Sequence, residues 1–170
     1  MKHIYFVRHG LSMLGKQGLW AGSTDTPLAP EGRDQAKAAG QGAVSLGIDY
    51  IVCSPLVRAH DTARLIAAEI GIPDTDIEVN KLVVERAFGS LEATAWDPTF
   101  DVDSIADAET TASVLERARL AYEHLKSLPH DTILVVSHGT FGRALRHTIH
   151  PEIPFDHTER FENAVIAKLL

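Results

Sequence analysis

Three short apolar runs of the sequence are each followed at once by polar side chains that suit the binding of an anion. In chain order these belong to Arg8-His9-Gly10, to Ser54-Pro55 with Arg58, and to Ser137-His138-Gly139. A guanidinium is a planar fork that matches phosphate or carboxylate oxygens, and an imidazole acts as a nucleophile or base near neutral pH. Each set is a weak signal alone, so the interpretation depends on whether the fold brings the three together.

The apolar runs are predicted strands, and the segments between them have helical periodicity. Buried strands are predicted over 3–7, 49–53 and 132–136, a short strand over 77–79 and a closing strand over 164–169. Helices are predicted over 56–70, 115–125 and 141–149, with a further helix that begins at Pro30. Strands that alternate with helices predict an α/β fold with a mainly parallel central sheet and helices on both faces. Ligands bind outside the carboxyl ends of parallel strands, so the three polar sets are expected to face one crevice.

The helix that begins at Pro30 contains two glycines in its second half. Proline is favoured in the first turn of a helix, where the backbone N–H is unpaired in any case. Gly40 and Gly42 weaken the far half of the helix by up to about 1 kcal/mol each. We attribute both glycines to close packing of this helix against the sheet.

Two irregular segments separate the predicted elements. Residues 11–27 are rich in glycine and small polar residues, which predicts a loop, and Leu19 and Trp20 indicate that this loop packs over another part of the molecule. Residues 96–111 are acidic and irregular. We interpret them as a solvated loop, the alternative being a flap on the substrate side of the site.

Length and composition are those of a globular domain. The chain has 170 residues, 45% of them hydrophobic and 23% charged, so residues 1–170 are expected to form a single domain. The net charge is −7 and no basic face is visible, which argues against nucleic acid as a partner. No apolar run has the length of a signal peptide or membrane span, and Cys53 is the lone cysteine, so we expect a cytoplasmic protein without a membrane partner. A homodimer is compatible with the sequence, although the chain needs no partner to bury a core.

Two arginines at one crevice imply a dianionic ligand, most simply a phosphate group. A neutral nitrogen of His9 is expected to attack phosphorus and form a phosphohistidine, which splits one difficult step into two. The leaving oxygen needs a proton, and Glu85, an acid inside the apolar run 82–88, is the best-placed donor, with Glu92 as its nearest rival. His138 is expected to stabilise charge on the transferring phosphoryl group. Arginine side chains supply the positive charge, so neither a metal nor a cofactor is predicted.

Other chemistries fit the residue spacing less well. His147 and His150 are three positions apart and are a candidate zinc pair, but histidines near a helix end are more often solvated cations. A cysteine phosphatase would need its arginine one position further from Cys53 than Arg58 is. A serine hydrolase would need a Gly-x-Ser-x-Gly turn, a frame that is absent around Ser12, Ser54 and Ser137.

Taken together, the motifs resemble the histidine phosphatase superfamily, the group with the phosphoglycerate-mutase-like fold. The matching segments are Arg8-His9-Gly10-Leu11-Ser12, residues 22–28, residues 54–59 with Thr62-Ala63, Glu85-Arg86-Ala87-Phe88-Gly89, and Val136-Ser137-His138-Gly139. They occur in the family's order and cover most of the chain, so as a set they are highly specific. The resemblance implies a three-layer αβα sandwich.

The resemblance also implies roles for particular residues. It implies that His9 is the phosphorylated nucleophile and that His138 belongs to the same phosphate pocket. It implies that Glu85 first protonates the leaving group and then acts as the base toward the attacking water. The residues expected to bind the substrate are Arg8, Arg58, Ser12 and Gly139.

Departures from the family pattern bear on which member of the family this is. The family often has an acidic residue and an asparagine at the positions of Leu11 and Gly15, so this loop is expected to contribute differently to phosphate binding. The stretch between Glu85 and His138 is short for the mutase branch. We therefore expect a metal-independent phosphatase of the histidine acid type that hydrolyses a small phosphomonoester. The alternatives are phosphoryl transfer of the phosphoglycerate-mutase type and a phosphate-binding regulatory module without strong catalysis.

Overall fold

A central sheet runs through the computed structural model, which describes residues 2–156 and 159–170. Its strands are β1 (His3–Arg8), β2 (Tyr50–Cys53), β3 (Ile77–Val79), β4 (Thr132–Ser137) and β5 (Ile166–Lys168). Within the described residues their order across the sheet is β3-β2-β4-β1-β5. Strands β1 to β4 run parallel, and β5 pairs with β1 in the antiparallel direction. The prediction of a mainly parallel α/β sheet is therefore confirmed, with an antiparallel strand at one edge.

Helices cover both faces of the sheet. They are α1 (Met13–Lys16), α2 (Pro30–Ala43), α3 (Val57–Ile70), α4 (Thr111–Ser127) and α5 (Gly139–Ile149). Single turns of 3-10 helix lie at Val44–Leu46, Asp74–Asp76, Lys81–Val83, Gly89–Leu91 and Val102–Ser104. Helices α4 and α5 pack on one face and α3 on the other, with α2 against α3. In the part of the chain that the structure describes, no helix has both the length and the apolar character needed to cross a bilayer.

Alternate residues of the central strands belong to two separate hydrophobic cores, one on each face of the sheet. Ile4 and Phe6 of β1 pack with α4 and α5, whereas Val7 packs with the apolar side of α3. In β4, Val135 and Val136 divide between the two cores in the same way. Successive side chains of a strand point to opposite faces, so a strand buried on both sides reads as a continuous apolar run. Each such residue contributes about 1.5–3 kcal/mol through burial, and together they hold the three layers of the αβα sandwich.

The carboxyl ends of three parallel strands lie side by side. Arg8 at the end of β1 is in register with Ser137 at the end of β4. Cys53 at the end of β2 is in register with Val136. The residues that follow these strands therefore emerge at one edge of the sheet.

The two irregular segments differ in how well they were predicted. Residues 11–27 are not a loop throughout, because they contain the one-turn helix α1. The predicted packing of this segment is correct, since the Trp20 ring is buried 4.6 Å from that of Phe88. Residues 96–111 are irregular as predicted, apart from a 3-10 turn and the first residue of α4. Trp96, Phe100 and Val102 line the cleft at the ends of the strands, which favours the substrate-side flap over the solvated loop.

The two glycines of α2 have different surroundings. A Cβ atom on Gly40 would lie 2.9 Å from Cβ of Glu69 and 3.0 Å from Cα of Ile66, both on α3. A Cβ atom on Gly42 would have nothing within 4 Å. The prediction of close packing is therefore correct for Gly40, although the partner is a helix and not the sheet, and it is wrong for Gly42.

Alanine substitutions of this glycine pair separate packing from helix propensity. Gly40→Ala is expected to lower the free energy of unfolding by about 1 kcal/mol, because overpacking costs about 1–3 kcal/mol and alanine's helix propensity offsets only part of it. Gly42→Ala, the matched control, should raise the free energy of unfolding by about 0.5 kcal/mol. Urea unfolding of both variants measures the difference, and equal effects would contradict the contact between α2 and α3.

Candidate active site

His9 follows β1 and lines an open cleft at the ends of the strands. Its Nδ1 lies 2.6 Å from the carbonyl oxygen of Gly10, which only accepts hydrogen bonds, so Nδ1 carries the proton. The other ring nitrogen, Nε2, accepts a hydrogen bond of 3.2 Å from Nε of Arg58. The backbone is held too, since the N–H of His9 donates to Ser137 at 2.9 Å and its carbonyl accepts from the Asn163 amide at 2.8 Å. The ring's basic lone pair is therefore on Nε2, where it accepts from Arg58.

The surroundings of His9 keep its ring neutral. Burial lowers its pKa well below the ordinary value, and the positive charges of Arg58 and Arg8 lower the pKa further. The hydrogen bond to the carbonyl of Gly10 acts in the opposite direction. A neutral imidazole is the form that attacks an electrophile.

Arg58 lies in the first turn of α3 and is only 1% exposed. Its Nη1 donates to the carbonyl of Thr24 at 2.8 Å and its Nη2 to the carbonyl of Gly22 at 2.6 Å. Burial lowers its pKa to about 10, so the guanidinium is still charged at neutral pH. The backbone carbonyl of Arg58 accepts from the hydroxyl of Thr62, which in turn accepts from the N–H of Gly10. Thr62 thus ties α3 to the end of β1, a contact that sequence reasoning did not assign.

Arg8 brings a second cation to the same place. Its Nη1 donates to the carbonyl of Phe161 at 3.2 Å, and its buried Nε has no partner among the described residues. Burial lowers the pKa of Arg8, while the nearby Glu85 acts to raise it. A Cβ atom on Gly139 would lie 3.5 Å from this Nε, so the first turn of α5 is close to the guanidinium. The free Nε–H is available to an anion bound between these groups.

His138 lies behind His9 and is not among the described residues that line the cleft. It is wholly buried, with its ring centroid 5.1 Å from that of His9. Its Nε2 is 2.8 Å from Oγ of Ser54, and its Nδ1 has no partner among the described residues. Burial, followed by the charge of Arg58, lowers the pKa of His138 well below the ordinary value. The sequence therefore predicted that His138 lies near His9, but not that its side chain is wholly buried.

Glu85 is buried at the amino-terminal end of α5 and lines the cleft. Its Oε1 accepts from the N–H groups of Arg86 and Phe141 at 2.8 and 2.9 Å, and its Oε2 accepts from the N–H of Thr140 at 3.1 Å. The apolar residues around it in the sequence predicted its burial, but not these backbone donors. A carboxylate here also interacts favourably with the helix dipole.

Ser12 caps α1 and completes the floor of the cleft near His9. Its hydroxyl accepts from the N–H of Gly15 at 3.0 Å, and both residues line the cleft. The cleft has a volume of about 510 Å³. The predicted site residues that it brings together are Arg8, His9, Ser12, Arg58, Glu85 and Gly139.

Arginine side chains and aromatic rings line the outer part of the cleft, and of these Phe155 and Arg160 had no role in the sequence analysis. Arg143 lies over the ring of Phe155, 5.1 Å from its centroid, and Arg160 lies over the ring of Trp96 at 5.6 Å. Arg143 is on α5, whereas Trp96, Phe155 and Arg160 are in irregular segments, where no periodicity marks an inward direction. The rim of the cleft therefore combines aromatic surface with positive charge.

The candidate zinc pair is engaged elsewhere in the structure. Nδ1 of His147 is 2.7 Å from the carbonyl of Ile153, and Nε2 of His150 is 2.6 Å from the carbonyl of Leu169. Over residues 2–156 and 159–170, no group of three or more His, Cys, Asp or Glu side chains is arranged to hold a metal ion.

The lowered pKa of His9 predicts a loss of stability in acid. Below pH 6.5 the unfolded chain protonates this histidine while the native state does not, so the free energy of unfolding falls as the pH decreases. From pH 7.5 to 5.5 the loss should approach about 1.4 kcal/mol for this residue. Urea unfolding in phosphate-free buffer at both pH values should show a smaller loss for His9→Asn than for the wild type. Equal losses would mean that His9 is not held neutral.

The fold and the cleft define an α/β protein that presents a neutral histidine, a buried and a partly buried arginine, and a buried glutamate at the carboxyl ends of parallel strands. The family model of the histidine phosphatase superfamily (branch 1) matches residues 4–169. The chain therefore belongs to this superfamily, and the resemblance seen in the sequence is confirmed.

Relatives and solved structures agree with this membership. The chain is 33% identical over 156 residues to an acid phosphatase of Mycobacterium tuberculosis, covering 84% of this chain and 72% of that one. It is 31% identical over 154 residues to the probable phosphoglycerate mutase GpmB of Salmonella arizonae, covering 82% and 70%. The solved structure of an open reading frame product of Mycobacterium tuberculosis has a TM-score of 0.83 and 29% identity, covering 98% of this chain and 90% of that one. A phosphoserine phosphatase variant of Entamoeba histolytica, 24% identical with a TM-score of 0.82, covers 99% and 90% and shares the fold.

Proposed function

We propose that the protein is a metal-independent phosphatase that hydrolyses a small phosphomonoester through a phosphohistidine at His9. The observation that carries this proposal is the 3.2 Å contact between Nε of Arg58 and Nε2 of His9. It sets a phosphate-binding cation against an unprotonated ring nitrogen. Membership of a family whose relatives include an acid phosphatase supports phosphoryl-transfer chemistry. The net charge of −7 favours a small phosphorylated molecule over a nucleic acid.

In the first step the substrate's phosphate lies between the guanidiniums of Arg8 and Arg58. A phosphate oxygen replaces Nε2 of His9 as the acceptor of the Arg58 Nε–H, which frees the lone pair on Nε2. Both terminal nitrogens of Arg58 stay on the carbonyls of Thr24 and Gly22. This nitrogen attacks phosphorus as the bond to the ester oxygen breaks. Glu85 passes a proton to the leaving oxygen, so the products are an alcohol and a phosphohistidine.

In the second step water replaces the alcohol. Glu85, now ionised, takes a proton from the water as its oxygen attacks phosphorus, and the bond to Nε2 of His9 breaks to release inorganic phosphate. The N–H of Gly139 lies in the first turn of α5, where a helix offers unpaired donors to an anion. The hydroxyl of Ser12, which lines the cleft, is a further donor to the phosphoryl group. His138 lies outside the described lining of the cleft, so it would have to move for its unpaired Nδ1 to donate as well.

Phosphoryl transfer of the phosphoglycerate-mutase type is the second candidate, because matched relatives carry that name. The phosphohistidine would then pass its phosphoryl group to a second hydroxyl and not to water. The short stretch between Glu85 and His138 favours hydrolysis. Incubation with a phosphoglycerate decides between the two, since release of inorganic phosphate without positional exchange excludes the mutase.

Replacement of the proposed nucleophile tests the first step. His9→Ala is expected to lower kcat/KM for p-nitrophenyl phosphate by about 10³-fold or more, because covalent catalysis is lost. The assay is run with a chelator present, and the wild type should keep its activity there. Unchanged turnover in His9→Ala would refute the mechanism.

Trapping separates this enzyme from a regulatory module that only binds phosphate. Labelled substrate, quenched within the first turnover, should leave an acid-labile phosphate on His9 of the wild type and none on His9→Ala. A module would bind phosphate without this label.

The proton-donor role of Glu85 predicts a dependence on the leaving group. Glu85→Gln should lower kcat/KM for an alkyl phosphate by about 10²–10⁴-fold, since an alkoxide needs a proton to leave. The loss for p-nitrophenyl phosphate should be at least tenfold smaller, because p-nitrophenolate leaves with little help. Equal losses on the two esters, measured under the same conditions, would assign Glu85 a role other than general acid.

A further inference from the structure

Glu92 fixes a loop beside the cleft, although it is not among the described residues that line it. Its Oε1 accepts from the N–H of Ser23 at 2.6 Å, from the hydroxyl of Ser23 at 2.8 Å and from the N–H of Phe88 at 3.1 Å. Its Oε2 accepts from the hydroxyl of Thr24 at 2.7 Å. One carboxylate thus joins the loop at 22–25, here called the arginine loop, to the segment 88–92.

The arginine loop is shaped to receive this carboxylate. Gly22 has a φ of +52°, and a Cβ atom there would lie 2.2 Å from Oε1 of Glu92 and 2.8 Å from the ring of Phe88. Both the left-handed backbone and the lack of space require glycine at this position. The contact between the loop and Glu92 is therefore a close one that leaves the loop little freedom.

The same loop holds the first turn of α3. The carbonyls of Gly22 and Thr24 accept the two terminal nitrogens of Arg58. The carboxylate of Asp25 accepts from the N–H of Val57 at 2.8 Å. The direction of the Arg58 guanidinium is set by these carbonyls, and they are held in turn by the bonds that Ser23 and Thr24 make to Glu92.

We propose that Glu92 is a positioning residue for the reaction, acting through the arginine loop on Arg58 and through Arg58 on His9. The inference rests on the proposed function, because it concerns the cation that meets the phosphoryl group. The contacts are continuous, from the carboxylate to the loop, from two loop carbonyls to the guanidinium, and from Nε of Arg58 to Nε2 of His9. Without the carboxylate the carbonyls lose their fixed direction, and Arg58 is free to turn away from the phosphate position.

Glu92 is poorly suited to the rival role of proton donor. Burial alone would raise its pKa, but hydrogen bonds from Thr24, Ser23 and Phe88 lower the pKa below the ordinary value. This shift favours the ionised form of Glu92 and disfavours proton donation by it. Both of its oxygens are also engaged by the loop and the 88–92 segment, away from the leaving group.

The test compares Glu92→Ala with Glu92→Gln, and it repeats Glu92→Ala in a protein that also carries Arg58→Ala. Glu92→Ala should lower kcat/KM for p-nitrophenyl phosphate by about 10²-fold, the effect of a misplaced reacting group. Glu92→Gln keeps an amide oxygen that can accept from Ser23 and Phe88. Its kcat/KM should therefore stay within about fivefold of the wild-type value, a loss equivalent to about one ordinary hydrogen bond. On an Arg58→Ala background, Glu92→Ala should change kcat/KM by no more than about twofold, because the guanidinium that Glu92 positions is no longer present. The losses should be the same for alkyl and nitrophenyl esters.

Further variants cover non-specific effects and misfolding. Glu116→Ala removes an exposed glutamate whose ion-pair partner among the described residues is Arg119, and it should leave activity unchanged. Thr24→Val removes a single bond to Oε2 and should cost about fivefold, a loss that again disappears on the Arg58→Ala background. It serves in place of Glu92→Ala if that variant does not fold.

Three results would overturn the proposal. The first is wild-type activity in both Glu92→Ala and Thr24→Val. The second is a loss of activity in Glu92→Gln as large as that in Glu92→Ala. The third is that the loss of kcat/KM caused by Glu92→Ala is as large on the Arg58→Ala background as in the wild type. If the wild type hydrolyses no phosphate ester, the proposed function fails, and calorimetry with inorganic phosphate then tests the positioning role by itself. Glu92→Ala should bind phosphate about tenfold more weakly than Glu92→Gln, and equal binding would refute the role of Glu92.

Discussion

Positive charge buried beside His9 is the constraint on which the rest of the site depends. Taking guanidinium groups out of water is costly, and the usual compensation is a carboxylate in direct contact. The described hydrogen-bond partners of Arg8 and Arg58 are instead backbone carbonyls and the ring of His9. Carbonyl dipoles satisfy the N–H groups without cancelling their charge. Much of the attraction for an anion is therefore kept in a place where water screens it little, although the nearby carboxylate of Glu85 offsets part of it.

This constraint explains why so much irregular chain surrounds the ends of the strands. Carbonyls that point inward toward a guanidinium are unavailable in helices and in strand ladders, whose carbonyls are already paired. The arginine loop and the segment that contributes Phe161 supply them here. Each must then be fixed by other contacts, and Glu92 does this for the arginine loop through Ser23 and Thr24.

Periodicity and strand ends were enough to predict most of the architecture. Continuous apolar runs marked β1, β2 and β4, because these strands are buried on both faces, and the polar residues after them marked the edge where the cleft lies. The carbonyl partners of Arg58 had no such signal, since every residue has a carbonyl and its direction depends on loop conformation. The burial of His138 and the packing of Gly40 on α3 depend on how the helices and the sheet pack against each other. The residue types along a single segment do not determine that packing.

The position of β1 in the sheet has a consequence for how the protein is made. This strand leaves the ribosome well before the two strands with which it pairs, β4 and β5. The carbonyl of His9 is held by Asn163, 154 positions later. Ile4, Phe6 and Val7 must therefore wait for their partners while most of the chain is synthesised, a situation that exposes nascent apolar surface to aggregation. The proposed nucleophile follows the first strand of the fold, yet it is one of the last groups to reach its native surroundings.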